Sequence, residues 1–155
     1  MDKNSIDLYS ERDKELMRIA EEARMPGKNK IEEIKKFASL AGYKRIGIAT
    51  CIAFQKEAEK LKEMLSDEFD VYITNCKLDK ITSTEFFGVE SKGLICNPVG
   101  QANELEQNKT ELNISFGLCM GHDLLFNQKS VAPVTTLIVK DREFKHNPMA
   151  IFKDL

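Results

Sequence analysis

Cys51, Cys76, Cys96 and Cys119 are separated by 25, 20 and 23 residues, about one strand and its following helix each time, so they recur at a single phase of a repeating fold. Each thiol arrives as an apolar run ends. Gly47-Ile48-Ala49-Thr50 leads to Cys51, Val71-Tyr72-Ile73-Thr74-Asn75 to Cys76, Gly93-Leu94-Ile95 to Cys96, and Phe116-Gly117-Leu118 to Cys119. That phase is the carboxyl end of a strand, the edge at which open α/β sheets bind ligands. Helices begin at the same edge, and their amino-terminal ends favour the thiolate, the form of cysteine that attacks electrophiles and binds metals. Cys51 and Cys119, each followed directly by an expected helix, gain most and are the candidate catalytic thiols.

Cys119-Met120-Gly121-His122-Asp123 adds an imidazole three residues from a thiol, a sulfur and nitrogen pairing that zinc and iron accept. Asp123 is placed to orient that imidazole. The candidate metal ligands are therefore Cys51, Cys76, Cys96, Cys119 and His122, with zinc or an iron-sulfur cluster as the cofactor. Neighbouring strands lie about 4.8 Å apart, so four strand tips span roughly 14 Å, too wide for one zinc ion without inward folding of loops. A cluster, or two or three cysteines with His122, fits more easily. No C-x-x-C pair occurs. Two other chemistries use the same residues. In a thiol enzyme, Cys119 or Cys51 is the nucleophile or redox thiol, and Asn97, His122 and Arg142 position a small anionic substrate. Lys140, beside Arg142 after the last strand, could hold the same anion. In a ligand-binding domain without catalysis, the cysteines pack as small hydrophobes. The sequence alone does not decide whether the chain is an enzyme.

The elements that must position these residues follow from the hydrophobic pattern. Ser10 and Asp13 form a capping box ahead of Leu16, Ile19, Ala20 and Ala23, and a second helix carries Ile31, Ile34, Phe37, Ala38 and Ala41 before Gly42 ends it. Strands are then expected at Arg45 to Thr50, Asp70 to Thr74, Gly93 to Cys96, Glu111 to Leu118 and Val134 to Val139, separated by helices, one of which starts at Pro98. Apolar strands joined by helical crossovers make a parallel sheet covered on both faces. The expected fold is α/β, a three-layer doubly wound, mostly parallel five-stranded sheet in the flavodoxin-like, Rossmann-like order 2-1-3-4-5. Residues 1–155 are expected to make one domain, with 1–42 as a helical extension packed on it.

Composition narrows the partners. With 155 residues and 42% of them hydrophobic, the chain can bury one sizeable core. Its 23 basic and 25 acidic side chains give a formal net charge of -2, no surplus for a phosphate backbone, so nucleic acid is not an expected partner. No apolar run approaches the roughly 20 residues of a membrane span. Met1 to Ser10 lack a secretory pattern, which gives a cytoplasmic location as the expectation, with reduced thiols. A small molecule or metal ion is the expected partner, and homo-oligomerisation is left open.

The motifs taken together resemble the domain-of-unknown-function family 1847. The resemblance covers roughly Ile31 to the carboxyl terminus. It rests on Gly42-Tyr43-Lys44-Arg45-Ile46-Gly47-Ile48-Ala49 before Cys51, on Cys96-Asn97-Pro98-Val99-Gly100-Gln101-Ala102, on Gly117-Leu118-Cys119-Met120-Gly121-His122-Asp123, and on Ala132 to Arg142 with His146-Asn147-Pro148. It implies no established reaction. The family carries a metal-binding or zinc-binding label associated mainly with a cysteine-rich segment ahead of the α/β domain, and this chain is expected to lack that segment.

Overall fold

The computed structural model describes residues 4–154, so Met1–Lys3 and Leu155 lie outside the described residues. Two compact units divide at Tyr43. In the first, α1 (Glu11–Ala23) and α2 (Lys30–Leu40) pack together, α1 started by the capping box expected of Ser10 and Asp13 and α2 by one not singled out from the sequence. Ser10 Oγ accepts from the Asp13 N–H while the Asp13 carboxylate accepts from Ser10, and Asn29 and Glu32 repeat the arrangement. Gly42 stops α2 at φ +77°, a conformation that costs a residue with a Cβ.

The second unit is built on four parallel strands: β1 (Arg45–Thr50), β2 (Asp70–Asn75), β3 (Leu112–Phe116) and β4 (Val134–Ile138), in the order β2-β1-β3-β4. The mixed α/β fold with a parallel sheet flanked by helices stands, but the sheet has four strands where five are expected. Gly93 to Cys96 is the difference. Gly93 sits at φ +111°, Leu94 makes an isolated antiparallel bridge to Thr82, and the Ile95 N–H donates to Ile81. The segment spends its hydrogen bonds on the preceding loop, so β1 pairs directly with β3. That loop also carries the short helix α4 (Ser83–Phe87), capped by Thr82 and Glu85.

Helices α3 (Gln55–Leu65), α5 (Pro98–Gln107) and α6 (Met120–Lys129) cover the sheet. Right-handed crossovers place α3 on one face and α5 with α6 on the other, consistent with the packing of α5 against α6. Strand alternation then sorts β1: Ile46 and Ile48 are wholly buried on one face, while Gly47, Ala49 and Cys51 look toward α5. Ala49, Cys51, Cys76, Ala102, Leu105, Leu118 and Phe126 form one buried cluster on that side. Gly47 faces a tight contact, since a Cβ there would overlap Asn113 Oδ1 of β3 and lie 2.7 Å from Leu105 Cδ1 of α5.

Gln101 decides how the strand ends are held. Its residue is fully buried on α5, and its side-chain Nε2 donates to the Thr50 carbonyl at 3.1 Å and to the Thr74 carbonyl at 3.0 Å. Both acceptors are carbonyls, so the amide must present its NH2 to them. The last turns of β1 and β2 are thereby tied together one residue before Cys51 and two before Cys76.

Two outcomes follow. Gly47→Ala forces overpacking and should lower unfolding stability by about 1–3 kcal/mol in chemical denaturation. Gln101→Met leaves two buried carbonyls without their donor, a loss of about 1–3 kcal/mol, and should also speed native-state alkylation of Cys51 and Cys76. Unchanged denaturation midpoints would contradict both.

Candidate functional site

The register brings the first two thiols side by side. Thr50 pairs with Asn75, and Cys51 and Cys76 come next on the two chains. Cys51 is 7% and Cys76 2% exposed, and Cys96 packs against the same cluster from its rim. The Cys76 Sγ faces the turn after β1, where it accepts the Ile52 N–H at 3.3 Å. The Asn97 N–H donates to the Cys76 carbonyl at 2.8 Å, which carries Cys96 in beside it. Cys119, the N-cap residue of α6, shares a cation with Cys51.

That cation is Lys140. A register shift between Ser115 and Phe116 puts Leu137 in excess on β4, so that Phe116 pairs with Ile138 and the chain returns across the sheet edge. The Lys140 Nζ then reaches Cys51 Sγ at 2.9 Å and Cys119 Sγ at 3.6 Å. The ring of Phe54 lies 5.9 Å from the same nitrogen, and it is buttressed by Phe116 and by His146 at a centroid distance of 4.7 Å. Gly117, at φ +69°, is the residue that lets Phe54 sit so close, because a Cβ there would overlap its ring. Arg142 approaches Cys119 Sγ at 3.5 Å from the exposed side.

The thiols are electrostatically unequal. For Cys51, burial opposes ionisation, yet the Lys140 ammonium, a backbone N–H of Ala53 and the Cys76 thiol outweigh it and hold it below the ordinary cysteine value. Burial, with the neighbouring charges of Cys96 and Cys51, pushes Cys76 up to about 11 despite the Ile52 N–H. Lys140 is raised, the sulfur contacts overcoming its own desolvation. Ionisation is thus favoured at Cys51 and disfavoured at its neighbour Cys76 on the same strand edge.

Beyond Cys96 opens a cavity of about 460 Å³ bordered by Lys77, Phe87, Cys96, Pro98, His122 and Leu125. Lys77 Nζ donates to the Leu94 carbonyl at 2.8 Å and lies 3.6 Å from Cys96 Sγ. Burial lowers the pKa of His122, and the charges of Lys140 and Lys77 lower it further, so the imidazole is neutral near pH 7.

The other residues singled out from the sequence fall as follows. Asn97 caps α5, its Oδ1 accepting from Gly100 at 2.8 Å while Nδ2 reaches toward Leu78 and Asp79. Asp123 is engaged by Ser115 and Asn127 rather than by His122. His146 accepts the Asp141 N–H at Nδ1 and packs on Phe54, which is a structural role. Among the described residues no group of three or more histidine, cysteine and acidic side chains is placed to hold a metal ion, and none of the helices is long and apolar enough to cross a membrane. Sequence reasoning passed over Lys77 and Gln101. A signal for Gln101 existed, since Pro98, Gln101, Ala102 and Leu105 share one helical face and a polar residue on a core face must bond to something inside.

A family model described as a protein of unknown function (DUF1847) matches residues 1–137, a span that contains all four cysteines, Gln101 and His122 and ends ahead of Lys140. The chain is 48% identical over 124 residues to the uncharacterized protein MJ0455 of Methanocaldococcus jannaschii, in an alignment covering 77% of this chain and 64% of that relative. It thus spans a little under two thirds of that relative's length. No solved structure matches. A family match over most of the chain, together with a relative this similar, shows that the chain belongs to the DUF1847 family.

Proposed function

We propose that the strand edge is a thiolate site, at which Cys51 acts as a nucleophile toward a small anionic molecule. The observation that carries this reading is the Lys140 Nζ at 2.9 Å from Cys51 Sγ. A thiolate needs a nearby positive charge to persist in a buried place, and a lysine with two sulfur neighbours supplies it. Arg142, exposed and next to Cys119, adds a second charge at the entrance and favours substrates bearing carboxylate or phosphate. His122, held neutral, is able to accept a proton during the reaction.

The metal or cluster reading uses the same thiols with different demands. Zinc requires several sulfurs about 2.3 Å from one point. Lys140 stands between Cys51 and Cys119, and a lysine ammonium there competes with a cation for both sulfurs. The thiolate reading therefore takes precedence over Cys51, Cys76, Cys96, Cys119 and His122 as a ligand set.

Two measurements test it. The ultraviolet absorbance of the thiolate, followed against pH in a variant retaining only Cys51, should rise at lower pH than for a free cysteine. Lys140→Met should move that rise upward, by on the order of one pH unit. Iodoacetate, which is anionic, should modify Cys51 faster relative to iodoacetamide than it does a free thiol, and the preference should vanish in Lys140→Met. A Cys51 titration unaltered by the substitution would overturn the reading. So would stoichiometric zinc or iron retained through anaerobic purification and released only with loss of the thiolate signal.

A further inference from the structure

We infer that Cys51 and Cys76 form a working dithiol that reduces small anionic disulfides, Cys51 attacking the substrate and Cys76 closing an intramolecular disulfide; this rests on the thiolate reading of Cys51. Three independent observations converge on the pair. The two residues follow hydrogen-bonded register partners, Thr50 and Asn75, on parallel chains spaced about 4.8 Å apart, within the roughly 4.4–6.8 Å between Cα atoms that a disulfide spans. Both side chains lie on the α5 side of the sheet in one buried cluster. The Cys76 sulfur is already turned toward the Cys51 segment, where it meets the Ile52 N–H at 3.3 Å.

Their inequality suits a sequential reaction. The Cys51 thiolate attacks one sulfur of the substrate disulfide, a new S–S bond forms, and the substrate bond breaks. The departing thiolate leaves with the electron pair and takes a proton from solvent. With Cys51 in a mixed disulfide its negative charge is gone, and one of the influences keeping Cys76 protonated goes with it. Cys76 then releases its proton and attacks the Cys51 sulfur, and the second substrate thiolate departs. The substrate has gained two electrons and two protons as two thiols, and the protein has become a Cys51–Cys76 disulfide.

The surroundings select the substrate. Cys51 is 7% exposed, which excludes the surface of a folded partner but admits a thin, flexible molecule. Lys140 and Arg142 flank the approach and favour carboxylates on that molecule. Cys96 is the rival partner, because it also neighbours Cys76 at the cavity wall.

The test uses the reduced, full-length chain, treated under anaerobic conditions with oxidised glutathione or with cystamine, a cationic disulfide. Intact mass and peptide mapping are the readouts. Oxidised glutathione should remove two hydrogens and yield a Cys51–Cys76 linked peptide. After correction for the rates of the two reagents with a free thiol, it should act about tenfold faster than cystamine. In Cys76→Ala, glutathione should instead remain attached to Cys51. Wild-type protein that retains glutathione on Cys51 with Cys76 reduced, or that links Cys76 to Cys96, overturns the dithiol and leaves the nucleophile standing. Absence of any modification at Cys51, with the other thiols modified, overturns both.

Discussion

The buried amide of Gln101, bridging the carbonyls of Thr50 and Thr74, is the contact on which the geometry of the site depends. Where parallel strands end, their last carbonyls lose the ladder that satisfied them, and a buried carbonyl without a donor is costly. Water usually solves this at a sheet edge. Here α5 lies over the edge, and one side chain from that helix serves both strands at once. The Cys51 and Cys76 backbones leave the sheet from fixed points, on neighbouring chains and on one face.

Position alone would make these thiols alike, and their difference comes from what the rest of the edge brings to each. The irregular pairing of β4 carries Lys140 to Cys51 and Cys119, and Phe54, seated against Gly117, supports the lysine from below. Cys76 is enclosed by apolar groups and by other sulfurs, and receives a single backbone N–H. A charge is stabilised at one sulfur and refused at its neighbour, both within the same low-dielectric pocket. Such contrast between adjacent groups is the ordinary means by which a fold assigns donor and acceptor roles.

Much of this arrangement was legible in the chain because βα periodicity is a strong signal. The spacing of Cys51, Cys76 and Cys119 places them past β1, β2 and β3, and the capping box at Ser10 marks a helix start that is present. Gly93 to Cys96 carries the local pattern of a buried strand, four apolar residues after a polar loop, yet it does not join the sheet. Its pairing partner, Ile81–Thr82, is set by tertiary geometry that no local window contains. The Lys140 contact with Cys51 joins residues 89 apart and depends on a one-residue irregularity in β4 pairing, so the sequence could place the charge at the edge but not assign it to a particular sulfur. Asp123 beside His122 was a reasonable second partner by proximity in sequence. In the fold its carboxylate is taken by Ser115, which lies beneath it on β3.

The most direct test of unequal thiols is a single experiment on unmodified protein: the Cβ carbon resonances of all four cysteines, followed by nuclear magnetic resonance across the pH range in which thiols ionise. Ionisation of Cys51 at lower pH than a free cysteine, with Cys76 remaining a thiol until well above the free value, is the result predicted here. Parallel titration of Cys51 and Cys76 at the value of a free cysteine would contradict it.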